Sequence, residues 1–159
     1  MGNSRHHISR NLFFLFDQIL TRRQRLLGLL LRPLGVAVPE WRVITVLSSM
    51  PGIPNGQLAS LTGVDRTTLT RTVERMVQSG LVQRTQDAAD QRVSLLRLTK
   101  RGEALFERTY PLVDAQNRQV LSGLSRSEVA QVRRSLHTTL ENLKAVALDD
   151  DESGLRNVA

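Results

Sequence analysis

The chain has no cysteine among its 159 residues. That excludes a disulfide scaffold, a thiol nucleophile and a thiolate metal site. Long apolar runs are missing too, and none reaches the roughly 20 residues that span a bilayer. No continuous apolar segment with a cleavage site follows His6 and His7, so no signal peptide is expected and the expected location is the cytoplasm. His6, His7 and His137 lack metal-ligand spacing with one another or with carboxylates, so no metal is expected, nor any other cofactor. There is no P-loop, no GxGxxG after a strand, no HExxH and no GxSxG. The carboxylates show no catalytic pairing in sequence, and the chain is not expected to be an enzyme.

Positive charge is abundant and unevenly placed. The net charge is +7. Residues 1–54 hold seven basic and two acidic side chains, residues 55–102 eight and four, and residues 103–159 seven and nine. The excess lies on and before the middle of the chain, which suits a polyanionic partner. Charge that serves only solubility is the alternative reading of the same balance.

Residues 56–102 carry the organising pattern. Gln57 to Leu61 reads as a short helix with Leu58, Ala59 and Leu61 inward. Gly63 permits a sharp turn, and Val64 fills the corner. Asp65 is suited to cap the next helix, because its carboxylate accepts from the free N–H groups of the first turn. That helix runs to about Ser79, with Leu69, Val73, Met76 and Val77 at helical spacing, and Gly80 stops it. Its outward stripe holds Thr67, Thr70, Arg71 and Glu74, flanked by Arg66 and Arg75. Threonine and arginine side chains can address base edges and phosphates, although an ordinary solvated helix face has the same look. Leu81 to Thr85 and Val93 to Leu98 read as paired strands joined by a polar loop. Arg92 ends that loop, where a guanidinium can enter a narrow minor groove. Asp90 could orient it through a bidentate pair or form a surface salt bridge of no functional meaning.

Helix, turn, helix and hairpin in this order are the layout of a winged helix-turn-helix. The stretch also resembles the signature of the MarR (multiple antibiotic resistance regulator) family. The matching features are D-R-x-T-x-T-R at Asp65 to Arg71, G-L-V at Gly80 to Val82, D-x-R at Asp90 and Arg92, and L-T-x-x-G at Leu98 to Gly102. Less specifically, the resemblance extends over residues 8–147. Gln91 departs from it, since many relatives place a basic residue there. The resemblance implies a dimeric winged-helix transcription factor. It also implies a small ligand, often aromatic or anionic, held between the dimer helices and the reader. Some relatives sense peroxide through a cysteine; a chain without cysteine cannot.

The flanking segments read as long helices. Over residues 8–31, Ile8, Leu12, Leu15, Phe16, Ile19, Leu26, Leu27 and Leu30 recur at three- and four-residue steps, and Phe13, Phe14, Leu20, Leu29 and Leu31 widen the apolar stripe. A helix apolar on more than one side needs more than one neighbour, so a partner subunit is expected. A membrane-surface helix is the competing reading, given Arg22, Arg23 and Arg25. Pro33 ends that helix, and Leu34 to Val38 form a loop. Pro39 suits the first turn of the next helix, which Trp41, Val43, Ile44, Val46 and Leu47 give a packing face. Trp41 reads as core packing before it reads as a wall of a ligand cleft. Residues 51–55 read as a loop. Thr99 opens another helix, which Pro111 should kink or split near Tyr110, and Gly123 closes it. Ser125 and Glu128 form a capping box for a final helix with Val129, Val132, Leu136, Leu140, Leu143 and Ala147 on one stripe, matching a dimer seam.

The expected fold is therefore mainly α with a small β-hairpin wing: a winged helix-turn-helix plus N- and C-terminal dimerisation helices. Residues 1–159 form one domain, with dimerisation helices at 8–31 and 103–147, the winged helix-turn-helix at 39–102 and a disordered acidic tail at 148–159. The expected function is a homodimeric, sequence-specific regulator, a repressor on a pseudo-palindromic operator, released by a small aromatic or anionic ligand. Its partners would be double-stranded DNA, a second copy of itself and that effector, without a membrane. Thr67, Thr70 and Arg71 are expected at bases, Arg66, Arg75 and Arg97 at phosphates, and Arg92 in the wing contact with Asp90 supporting it. Phe13, Phe16 and Trp41 are the candidate ligand-lining residues. Two other readings stay open: a dimeric helical module that binds protein, and a sequence-blind DNA architectural protein.

Overall fold

Four helices start where an extended residue hands over to a helical one. In the computed structural model, which describes residues 11–88 and 90–156 and side chains up to 146, the Asn11 carboxamide accepts from the N–H groups of Phe13 and Phe14 and opens α1, Leu12–Leu31. Ile8, expected in this helix, lies outside the described residues, as do His6 and His7. Glu40 reaches back to the Ala37 N–H at 2.9 Å and steadies the start of α2, Val38–Ser49, with Pro39 in its first turn. Pro54 precedes α3, Asn55–Thr62. Asp65 caps α4, Arg66–Gln78.

The core joins these helices to a small sheet. Trp41, Val43, Ile44 and Leu47 of α2 are buried with Leu58 of α3 and Leu69, Val73 and Met76 of α4. Leu27 and Leu31 close one end of the cluster. Burial of each such aliphatic side chain contributes about 1.5–3 kcal/mol. Strands β2, Val82–Gln86, and β3, Ser94–Leu98, pair antiparallel with Val82 opposite Leu98 and Arg84 opposite Leu96. A further strand, β1, Ile53–Pro54, pairs with β3 on its other edge, giving the order β1-β3-β2. The expected hairpin is thus one part of a three-stranded sheet. Residues 51–55 read as a loop because two paired residues leave no alternation to detect, and a proline is tolerated on an edge strand.

Contacts between residues divide the chain into two compact units, Met1–Ala115 and Gln116–Ala159. Helix α5, Lys100–Val120, runs continuously through Pro111, so the expected split does not occur. Proline removes one backbone bond there, the one to the Glu107 carbonyl, and the turns on either side keep theirs. In the second unit, Gly123 takes φ 94° and ends the linker. The Ser125 N–H donates to Glu128 at 2.7 Å, and the Glu128 N–H donates back to the Ser125 hydroxyl at 3.3 Å. The Ser125 hydroxyl also donates to the Glu128 carboxylate, at 2.6 Å, and this bond, followed by that from the Ser125 N–H, holds the Glu128 carboxyl below its ordinary value of 4.5. These bonds open α6, which runs from Arg126 to Arg156, past the expected boundary at 148. Ala145, Ala147 and Leu148 are strong helix formers, and no proline or earlier glycine breaks the segment.

One junction holds the end of α4 against the start of α5. The Leu81 N–H donates to the Met76 carbonyl, and Gly80, with φ 69°, donates to Val77. The Thr99 hydroxyl donates to the Gly80 carbonyl at 2.6 Å while accepting from the Gly102 N–H at 3.2 Å. Arg101 donates to the Ser79 carbonyl at 2.9 Å, a cation at the negative end of α4. Gly102 has no room for a side chain, because a methyl group there would run into the Leu81 carbonyl oxygen. Gly102→Ala is expected to destabilise the protein by about 1–3 kcal/mol, the cost of overpacking, read as a lowered midpoint with unchanged slope in urea unfolding. An unchanged midpoint would show that the junction yields without cost.

Candidate nucleic-acid interface

Helix α4 is sided by burial. Leu69, Thr72, Val73 and Met76 face the core, and the Thr72 hydroxyl is satisfied by the Thr68 carbonyl at 2.7 Å. With ~3.6 residues per turn, the line opposite those four passes through Thr67, Arg71, Glu74 and Gln78, all exposed. Thr70 and Arg66 flank this line on one side, and Thr68 and Arg75 on the other; all four are exposed. The Thr70 hydroxyl donates to the Arg66 carbonyl at 2.9 Å. Its proton is therefore engaged, and what it offers outward is a lone pair and a methyl group. A shallow groove along the helix is lined by Thr68, Arg71, Thr72, Glu74, Arg75 and Gln78. Thr68 and Gln78 are additions to the residues expected from sequence. Gln78 was legible in the four-three-four spacing that continues from Thr67.

The helix is fixed at its N-terminus by Gly63, with φ 60°, and by Asp65, whose carboxylate accepts from the Thr68 N–H at 2.8 Å. That bond, followed by one from the Thr68 hydroxyl, holds the Asp65 carboxyl below its ordinary value of 3.8. Arg75 lies 3.8 Å from Glu40 of α2. Its side chain is 62% exposed, so the pair is weak and the guanidinium stays accessible to a phosphate.

The wing loop is held by its own backbone. The Asp87 N–H donates to the Val93 carbonyl, and the Val93 N–H to the Asp90 carbonyl, each at 2.9 Å. The Asp90 carboxylate accepts from the backbone N–H of Arg92 at 2.9 Å. This corrects the expected bidentate pair: two residues apart in a turn, the carboxylate meets the amide before the guanidinium. Arg92 is exposed, with its side chain free of Asp90. Arg97 is set apart from the α4 groove. Its guanidinium lies across Gly52, and it lines a different cleft with Gln83, Glu103 and Glu107.

Of the candidate ligand-lining residues, Trp41 is 5% exposed and stacks on Phe106 with ring centroids 5.8 Å apart. It packs in the core, as its position on α2 led us to expect. Phe13 and Phe16 meet edge to face at 6.0 Å on α1, where Phe13 is exposed. No group of three or more His, Cys, Asp or Glu among the described residues could hold a metal ion. No described helix is long and apolar enough to cross a membrane.

Residues 37–94, which span α2 to the start of β3, match the model of the MarR family. Over that stretch the chain is similar to the MarR family. Its curated relatives include the HTH-type transcriptional regulator BilQ of Clostridium symbiosum (strain WAL-14163), 28% identical over 109 residues, which are 69% of this chain and 73% of that protein. A mutant MarR from E. coli, solved in complex with operator DNA, superposes with a TM-score of 0.73 at 27% identity, over 87% of this chain and 99% of the other. CouR from Rhodococcus jostii RHA1, solved bound to p-coumaroyl-CoA, superposes with a TM-score of 0.75 at 25% identity, over 83% and 93%.

The Asp65 cap gives a pH signature. A carboxyl held low in the folded state stabilises it above the unfolded value and loses that contribution as pH falls through the folded value. Asp65→Asn keeps an acceptor without the charge. Between neutral pH and pH well below 3.8, wild type is expected to lose more stability than Asp65→Asn in parallel denaturation series. Equal losses would remove the cap from the acid response.

Proposed function

We propose that this chain is a MarR family protein and acts as a homodimeric, sequence-specific DNA-binding regulator. Helix α4 would enter the major groove and the 87–93 loop a neighbouring minor groove. The observation that carries the reading is the α4 line Thr67, Arg71, Glu74 and Gln78, exposed opposite a buried face and fixed at both ends. Arg71 and Thr67 point outward for base edges, with Thr70 beside them offering a hydroxyl acceptor and a methyl group for apolar contact with the thymine methyl. Arg66 and Arg75 suit flanking phosphates, and Arg92, exposed with Asp90 bracing its backbone, suits the minor groove. Arg97, lying over Gly52, is a phosphate contact only for DNA that reaches that side of the sheet. The similarity to a MarR solved with operator DNA supports DNA as the partner.

The dimer is supported by apolar surface that one chain leaves uncovered. On α1, Leu12, Phe13, Ile19, Leu20 and Leu29 are each more than half exposed, and on α6 so are Leu140, Leu143 and Val146. Such stripes require cover in water. A two-fold dimer reads an inverted repeat with half-sites about one helical turn apart. Bound over a promoter, it excludes polymerase, which makes repression the simplest direction of control, in the cytoplasm where the DNA is.

Selection of bound duplexes from a random pool at near-physiological salt tests this directly. An enriched inverted repeat is expected. Arg71→Ala should then lose about 1–3 kcal/mol of specific affinity for each site contact and relax the selected base there. Binding without enrichment would instead support an architectural protein, and no binding a protein partner.

Regulation by a small aromatic or anionic ligand is supported by the similarity to CouR, solved with p-coumaroyl-CoA. Trp41 stacks on Phe106, which lines the cleft holding Arg97, Glu103 and Glu107. Such a ligand releases DNA only through unequal affinity for two states of the dimer. A releasing ligand is expected to change Trp41 emission over the same concentrations at which operator affinity falls. Altered emission at constant operator affinity would separate the cleft from control.

A further inference from the structure

Glu74 is the single acidic residue within α4, and it stands on the outward line between Arg71 and Gln78. That is an expensive place for a carboxylate on a DNA-reading helix. Every duplex, whatever its sequence, brings phosphates to both sides of a helix in the major groove, and a negative charge there is repelled by all of them. A neutralising partner within the protein would remove the cost. None is found: Glu74 makes no ion pair among the described residues, although Arg71 lies one turn before it, while the neighbouring Arg75 reaches Glu40 instead. The Glu74 side chain lines the α4 groove together with Arg71 and Gln78 and is exposed there.

Few groups in the major groove reward a carboxylate. Guanine offers O6 and N7, both acceptors, and thymine offers O4 and a methyl group. Adenine pairs its amino donor with an acceptor at N7, which suits an amide better than a carboxylate. Cytosine presents a lone N4 amino donor, the one edge whose chemistry a carboxylate matches without a penalty beside it. We propose that Glu74 is a specificity-determining residue, which accepts from the N4 amino group of a cytosine in each half-site and repels duplexes that lack it. The proposal rests on the reading of α4 as the major-groove helix. The same charge lowers affinity everywhere and returns it only at the right base, so it widens the gap between specific and non-specific sites without adding total affinity.

The test compares wild type with Glu74→Gln in the random-pool selection, and measures binding of both to a duplex of unrelated sequence at fixed salt. Glutamine keeps the length of the side chain and loses its charge. Its amide matches adenine N6 and N7. In the variant, one position per half-site is expected to move from C to A, with a change of roughly five-fold or more in base preference. The other positions should keep their bases, and affinity for the unrelated duplex should rise. Circular dichroism of both proteins guards against misfolding, and Glu74→Ala provides a second variant, in which the C preference disappears with no new base in its place. An unchanged selected sequence, or an unchanged non-specific affinity, overturns the proposal and leaves Glu74 as a solvated bystander. If wild type itself enriches no sequence, the DNA-reading assignment of α4 falls, and the role of Glu74 falls with it.

Discussion

The junction between Ser79–Leu81 and Thr99–Gly102 is the constraint on which the placement of α4 depends. Helix α4 ends there, β2 begins there and α5 starts there. Several hydrogen bonds, among them that from the Thr99 N–H to the Leu81 carbonyl, and one close backbone approach meet within a few residues. Because Gly102 lacks a side chain, the first turn of α5 sits against the Leu81 carbonyl. Because Thr99 both donates and accepts, it closes the end of α4 while opening α5. The L-T-x-x-G pattern is thus a joint, and its effect is to fix the direction of α4 relative to the β2–β3 hairpin. Direction matters for a DNA reader, since a helix that swivels in the groove loses base contacts that tolerate only small misalignments.

The same economy appears along α4. Four residues on one side are buried, which leaves the opposite line no choice but to face solvent. Its hydroxyls are partly committed to the helix itself. Thr72 satisfies its donor internally and can therefore be buried. Thr70 does the same while exposed, which leaves it an acceptor with a methyl group. The ends are fixed by charge as well as by hydrogen bonds, with Asp65 at the start and Arg101 at the finish, each matched to the sign of the helix terminus it meets. The outward surface of α4 is braced by hydrogen bonds made within the chain itself.

Helices α1 and α6 follow a different logic. Each carries an apolar stripe that its own chain leaves largely exposed, at Ile19 and Leu29 on one and Leu140 and Val146 on the other. Periodicity made both stripes visible, yet the winged unit buries only Leu27 and Leu31 of α1. In the proposed dimer, stability and function would be coupled, because the surface that covers these stripes would also set the spacing of the two α4 helices.

Much of this was legible in one dimension. Helical periodicity, Gly63, Asp65, Gly80 and the Ser125–Glu128 box are local signals, and local hydrogen bonding fixed each where expected. Elements whose existence depends on distant partners were not legible. Strand β1 is two residues that become a strand only because Leu96 lies opposite Ile53. Pro111 was a signal of breakage that the surrounding turns outweighed. Asp90 chose the near amide over the far guanidinium, and Arg97 and Gly52, 45 residues apart in sequence, met in space. The sequence by itself determined the helix starts and the side of α4 that faces outward, since these rest on contacts between near neighbours. Only the tertiary structure decided which arginines stand together, what Thr99 and Gly102 hold and where Glu74 lacks a partner, because those depend on the packing of segments the chain brings together from far apart.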